Sequence, residues 1–439
     1  MSEQVGRTFN NGEAPSERSA VADAPAPWAA RHVWQYAITP SPFRSRLPKG
    51  FMSPIRANIN PEVLLWARRV AGLHVSGAAR KAGVAPERVG AWESGDDRPT
   101  LRQLRLLARA YRRPTAFFYR STVPPEPPTL PDYRLRPEEA LEEGQSPPLR
   151  YEIRRAASRR DTALEILALL GESPRDVTLA ASRHEAVSTI AGRIREFLAV
   201  TVEEQSSWPG HYEALRNWTA AAEEQGIFVF QFSGIEVSEV RGFSLSERPL
   251  PVVALNGKDA VRGRIFTLFH ELVHIALDLS GLCDLHDTEG FNWVEPFCNA
   301  VAAEALIPEQ ALLDREVVRF HDTYPVWEDS ELLPLANYFW VSREAILRKL
   351  LTHGLTTVDF YRERRAEFEE EYRRRREEGG GFLSYFRRVL RDNGPAFTLL
   401  VLSAYDVQAI SARDLSHHLG DIKLEHINSI REAVGGVVD

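Results

Sequence analysis

The stretch Arg264-Ile-Phe-Thr-Leu-Phe-His-Glu-Leu-Val-His274 decides how the rest of the chain is read. His270 and His274 sit four residues apart, a spacing that returns a helix to nearly the same face one turn on. Both imidazoles can therefore reach one metal ion. Glu271 lies at the edge of that face, where a carboxylate can take a proton from metal-activated water. The flanks Ile265, Phe266, Leu268, Phe269, Leu272, Val273 and Ile275 are apolar, so this helix is expected to be buried. Two buried histidines and a buried carboxylate need partners or a metal, because leaving them unpaired is costly.

The arrangement is the His-Glu-x-x-His pattern of a zinc metallopeptidase helix. A catalytic zinc usually has three protein ligands and an open position, so a third ligand is expected downstream. A metzincin-type third histidine would fall at position 280, which is Ser280, and that class is excluded. Glu295 is the better candidate, in the segment Val294 to Pro308. Pro296 suits a first helical turn, and the small Ala300, Ala302 and Ala303 allow close approach to the histidine helix. Asp284, His286 and Asp287 are rivals in the intervening loop, and Cys298 is a fourth, one turn after Glu295.

Together, Arg264-x-Phe-Thr-Leu-x-His-Glu-Leu-x-His and Glu295-x-x-Cys-Asn-Ala-x-Ala-Ala-x-x-Leu-Ile-Pro308 resemble the ImmA/IrrE family of metallo-endopeptidases. Gly242-Phe-Ser244 and the strand-like Pro251 to Asn256 upstream agree with that resemblance.

Length and composition set the frame. At 439 residues the chain can hold two or three domains with real cores. No apolar run approaches the roughly 20 residues that span a bilayer, and the N-terminus lacks a signal pattern. The only cysteines, Cys283 and Cys298, are too few for a disulfide framework and suit a reducing cytoplasm. A net charge of -7 argues against polyanion binding by the whole chain, so any nucleic-acid surface must be local.

Residues 1–58 are rich in Ala, Pro, Ser and Gly and read as a disordered tail. Met52, ahead of Ser-Pro-Ile-Arg, is an alternative start of the chain. Residues 59–120 then read as four short helices: Pro61 to Arg69, Ser76 to Ala82, Pro86 to Ser94 and Leu101 to Tyr111. Ala-x-x-Gly-Val, Trp92-Glu-Ser-Gly95 and Arg98-Pro-Thr resemble the Cro/repressor (XRE) helix-turn-helix. Between Pro61 and Arg120 there are eleven Arg and one Lys against five acids, a basic module in an acidic chain. By the usual docking geometry the third helix enters the major groove of duplex DNA. Pro86, Glu87, Arg88 and Ala91 would then face bases, and Arg80 and Lys81 would favour phosphates.

Residues 121–148 form a Pro-rich linker. Helical segments follow at Arg150 to Leu170, Ser182 to Leu198 and His211 to Gln225. Ile227 to Phe232 and Pro251 to Asn256 read as strands, with Gly234 to Arg248 a hairpin or loop between them. Strands ahead of the metal helix can offer a free edge to an extended peptide. Residues 316–380 read as helical, with a turn before a capped helix near Ser342 and a solvated Arg/Glu helix from Tyr361 to Glu378, then a glycine hinge. Residues 381–439 read as a small C-terminal helical domain. The expected fold class is α+β and mostly helical. The resemblance makes the N-terminal module all-α and residues 149–315 a zincin-like peptidase domain with a small sheet.

The chemistry implied is peptide hydrolysis. His270, His274 and Glu295 would hold Zn²⁺, with Mn²⁺ as the alternative, and Glu271 would act as general base. His211, Tyr212, Tyr324 and His286 are unranked candidates for an oxyanion-stabilising group. The resemblance implies a cytoplasmic regulatory protease with a protein substrate, a small helix-turn-helix repressor, whose cleavage switches on stress, mobile-element or phage-related genes. The competing reading is a DNA-binding regulator or toxin-antitoxin component whose peptidase fold serves as a sensor or oligomerisation platform.

Overall fold

The computed structural model describes residues 55–124, 145–279, 281–283, 293–377 and 384–438. Residues 1–54, most of the expected N-terminal tail, lie outside the described residues. The stretch 125–144, the Gly379-Gly-Gly381 hinge and the rival ligands Asp284, His286 and Asp287 lie outside the described residues.

The N-terminal module is built from α1 (Pro61–Val70), α2 (Val75–Ala82), α3 (Pro86–Ser94) and α4 (Leu101–Ala110). Each boundary has a local cause. Asn60 caps α1 by accepting from the Glu62 amide at 3.0 Å, and Pro61 takes the first position, where no amide proton is needed. Gly83 and Gly95 end α2 and α3 with φ of 68° and 88°, a left-handed conformation that suits glycine. Thr100 and Gln103 close a capping box on α4. Val63, Leu64, Ala79, Val89, Trp92, Leu104 and Leu107 form its own core. Arg68 grips Glu93 through two bonds of 2.7 and 2.9 Å, tying α1 to α3.

The larger body is a sheet covered by helices on both faces. It runs through α5 (Pro147–Leu170), α6 (Val187–Leu198), α7 (Val202–Ser207), α8 (His211–Glu224), β1 (Phe228–Phe232), β2 (Gly242–Leu245), β3 (Val252–Asn256), α9 (Val261–Ala276) and β4 (Gly281–Cys283). Then come α10 (Val294–Leu306), α11 (Glu309–Leu313), α12 (Glu316–Arg319), α13 (Asp329–Tyr338), α14 (Arg343–Thr352) and α15 (Val358–Glu377). The chain ends with α16 (Tyr385–Asn393), α17 (Pro395–Asp406), α18 (Ala412–His418) and α19 (Ile427–Val438). Among the described residues, no helix is long and apolar enough to cross a membrane.

Strand order is β1-β3-β2-β4, with β1 parallel to β3 and the other pairs antiparallel. Alternation along β1 assigns its two faces. Phe228, Phe230 and Phe232 point to one layer, and Val229 points to the other. The Val229 layer holds α6, α8, α9, α10, α13 and α14. The phenylalanine layer holds α5, α16, α17 and the end of the chain, with Phe397 edge-on to Phe228 and Phe230 at 6.1 and 5.9 Å.

Two sequence expectations change here. Residues 381–439 do not stand apart: Val389, Leu390, Phe397, Val401, Ile430 and Val434 share one core with the sheet. A sheet buried on both faces needs a second helical layer, and the amphipathic C-terminal helices supply it. Gly234 to Arg248 contains a true strand, β2, too short to announce itself. One sheet edge is β1, which precedes α9 as expected, and the other follows the helix. β4, just after α9, pairs with β2 and forms that second edge. At the other end the Glu223 carboxylate accepts from the Ala396 amide at 3.0 Å, and the Val229 amide lies 3.5 Å from its other oxygen.

Candidate metal centre

Helix α9 is buried on nearly every side, as its apolar flanks require, and His270, Glu271 and His274 are fully buried with it. Against it lies α10, where Ala302 and Ala305 are fully buried and Glu295 sits in the first turn. The strand β2 covers α9 from the sheet side. At Gly242 a Cβ would meet Thr267 Cγ2 at 2.5 Å and Glu271 Oε1 at 3.2 Å, so only glycine lets the strand lie this close.

Three side chains converge. The Nε2 atoms of His270 and His274 are 3.1 Å apart. Glu295 Oε2 lies 3.3 Å from the His270 Nε2, and its Oε1 lies 3.4 Å from the His274 Nε2. Neither Glu295 oxygen is aligned for a hydrogen bond, although both are buried. Donor atoms this close together can share one cation. Ligand atoms about 2.0–2.1 Å from a tetrahedral zinc would stand roughly 3.3–3.4 Å apart. The three separations fit that spacing, so the residues suit a bound cation.

Electrostatics agree. Burial pushes the Glu295 carboxyl up, but the imidazoles of His270 and His274 outweigh it and hold the group at about 2. Burial works the other way on His270, and Glu295 overcomes it to raise that pKa. The His270 Nδ1 lies 2.9 Å from Asn299 Oδ1. With the amide oxygen as acceptor, the proton sits on Nδ1 and the Nε2 lone pair faces the cluster. Asn299 stands four residues after Glu295, one turn along the same helix. The sequence reading assigned it no role, yet that spacing was the available signal.

Cys298 is the rival that the structure does bring near. Its buried sulfur and the two imidazole nitrogens lie within 4.8 Å of one another. Burial, then the carboxylates Glu295 and Glu271, raise its thiol well above the ordinary range. The oxyanion candidates are more scattered. His211 packs on Tyr212 at 4.7 Å at the start of α8, while Tyr212 and Tyr324 are exposed. His286 lies outside the described residues.

On the N-terminal module, Arg80 and Lys81 occupy the exposed last turn of α2, and Pro86, Glu87 and Arg88 the exposed first turn of α3. Ala91 is half-buried. Arg88 is engaged: its guanidinium donates to Asp97 at 3.0 Å, which Arg56 also reaches at 3.0 Å. Trp92 Nε1 donates to the same carboxylate at 3.2 Å.

Comparison with known families matches both halves of this description. Residues 222–351 match the family model described as IrrE N-terminal-like domain, Peptidase_M78, a metallopeptidase family whose chemistry implies a divalent metal. Residues 66–118 match the family model described as helix-turn-helix. A search of curated proteins returned no match.

Proposed function

We propose that this chain, with its IrrE-like metallopeptidase domain behind a helix-turn-helix domain, is a zinc-dependent regulatory endopeptidase that cleaves a partner repressor. The observation that carries the reading is the convergence of His270, His274 and Glu295 beside a fully buried Glu271. A sensor or scaffold has no need of three metal-ligand side chains and a separate carboxylate held dry within one helix turn.

In this reading His270, His274 and Glu295 hold Zn²⁺, with Mn²⁺ the alternative, and Asn299 orients His270. When bound, the metal supplies Lewis-acid polarisation of the scissile carbonyl and acidifies water. Glu271 takes the proton from the attacking water and delivers it to the leaving amine. The substrate is a protein, a small helix-turn-helix repressor, and an extended segment of it adds alongside β4, an edge strand of the sheet. The helix-turn-helix domain places the enzyme on duplex DNA near that repressor, with Arg80 and Lys81 on phosphates and the start of α3 toward bases. The setting is cytoplasmic, and the output is derepression of stress, mobile-element or phage-related genes.

Glu271→Gln tests this directly. Glutamine keeps the shape but cannot accept a proton, so metal content and DNA binding should stay while cleavage of the partner repressor falls at least about 10²–10⁴-fold. If the variant still derepresses the target genes as well as the parent, proteolysis is not the output and the DNA-binding-platform reading replaces it.

A further inference from the structure

A second site stands where the helix-turn-helix module meets α5. A cleft of about 410 Å³ opens there, a volume suited to a small molecule. Lys81 of α2, Arg109 of α4, Arg112 just beyond it, and Tyr151 and Arg154 of α5 are among the residues that line it. Among the described residues, no acidic side chain lines this cleft. Four cations thus surround one small volume.

The surrounding bonds do not neutralise them. Arg154 Nη1 is buried without a hydrogen-bond partner, and so are the Nε atoms of Arg150 and Arg113. Arg154 spends its own Nε on the Arg150 carbonyl at 3.3 Å. The Arg112 guanidinium carbon sits 3.9 Å from the Tyr151 ring centroid, and Arg113 packs on Trp66 and Phe117 at 5.2 and 4.9 Å. Ring stacking of this kind leaves guanidinium N–H edges available. Glu152, an acid one turn into the same helix, pairs with Arg155 at 3.5 Å and divides its remaining attraction between Arg159 and Arg112. Burial first, and then the like charges of Arg113, Arg112 and Arg150, pull the Arg154 guanidinium down to about 10, while Tyr151 opposes them. A cluster of like charges at a junction costs stability unless an anion joins it.

We propose that this cleft binds a small oligophosphate, meaning two or more linked phosphates as in a nucleoside triphosphate, clamped between Arg112 and Arg154 with Lys81 and Arg109 at its mouth. Planar guanidinium forks suit phosphate oxygens, and a duplex backbone is too bulky to enter a cleft of this volume. The bound anion bridges the DNA-binding module and the peptidase body. It would therefore report a metabolic state to whichever of the two it steadies.

Calorimetry on the full chain with ATP, inorganic triphosphate, inorganic phosphate and adenosine tests the idea. ATP and triphosphate should bind, inorganic phosphate more weakly, and adenosine not at all. Arg112→Gln and Arg154→Gln should each weaken triphosphate binding about tenfold or more, the loss of a charged hydrogen-bond pair. Arg154→Lys should retain part of it. Lys81→Gln and Arg109→Gln alter exposed positions that the core does not use, so the pair keeps the test valid if Arg154→Gln fails to fold. Absence of heat with every phosphate probe overturns the proposal, as does equal affinity in all the variants. Loss of duplex DNA binding in Arg112→Gln and Arg154→Gln with triphosphate binding intact also overturns it and assigns the cleft to the DNA surface. The segment 125–144 carries Glu138, Glu139, Glu142 and Glu143. Triphosphate binding that appears only when these four are changed to Gln would mean the chain supplies its own anion, and the small-ligand proposal fails.

Discussion

The imidazole of His270 is held from behind by Asn299, whose Oδ1 lies 2.9 Å from the ring Nδ1. One hydrogen bond between adjacent helices thereby selects the tautomer and aims the opposite nitrogen at Glu295 and His274. Such supporting bonds typically carry about 10–100-fold in metal affinity. Asn299→Leu, which has nearly the same shape and no acceptor, should weaken zinc by that factor in a chelator competition. Asn299→Asp should keep the affinity. Parental affinity in the leucine variant would mean that packing alone orients the ring.

The choice between Glu295 and Cys298 is decided by removing each. Glu295 oxygens stand 3.3 and 3.4 Å from the imidazole nitrogens, whereas the Cys298 sulfur is placed only within 4.8 Å. Metal analysis should find Glu295→Ala depleted of zinc and Cys298→Ser close to the parent. The reverse pattern would exchange their roles.

Gly242 admits no side chain, because a Cβ there would lie 2.5 Å from Thr267 Cγ2 and 3.0 Å from the Ala254 carbonyl. Gly242→Ala should cost about 1–3 kcal/mol, the usual range for overpacking, seen as a lower thermal midpoint. Since the new methyl also presses on Glu271, hydrolysis should fall more than metal content does. Parental stability and activity would show that β2 can lift away freely.

Glu223 is half-buried between β1 and α17, and desolvation raises its carboxyl to about 8, against the lowering effect of the Ala396 and Val229 amides. An unfolded glutamate titrates near about 4.3. The folded chain therefore holds a proton that the unfolded chain has lost. Its contribution to stability is complete below the unfolded value and fades as pH rises towards about 8, with a slope of up to about 1.4 kcal/mol per pH unit. Glu223→Gln should flatten that decline between pH 5 and 8 in denaturant titrations. An identical pH slope in the variant would remove Glu223 as its source.

The metal helix was legible because four-residue spacing and an apolar surround are local properties, and α9 forms where they predict. Glu295 stood out for a similar reason, as an acid at the head of an alanine-rich helix. Ser342 is found capping α14, its Oγ accepting from the Ala345 amide at 3.0 Å. What stayed hidden depends on distant partners. Gly242-Phe-Ser-Leu245 is too short to show an alternating pattern, and its glycine is explained only by Thr267 on another element. The helices after residue 384 display an apolar face, but periodicity does not say which surface that face covers. Arg88 was expected to face bases, and its bond to Asp97, nine residues on, could not be read from the spacing.

Helix α5 is 24 residues long, about 36 Å from end to end. Its first turns touch the N-terminal module through Arg150, which reaches the Arg69 carbonyl at 3.4 Å, and Tyr151. Leu149, Ile153, Ala156, Ala163 and Ile166 are clamped in the same layer as Phe397 and Val401. The helix is thus a lever with one arm at the DNA-reading head and its fulcrum in the last quarter of the chain. Shortening the C-terminus would free that lever and bare one face of the sheet, so a truncated protein should lose the alignment of its head and the packing behind the peptidase centre together.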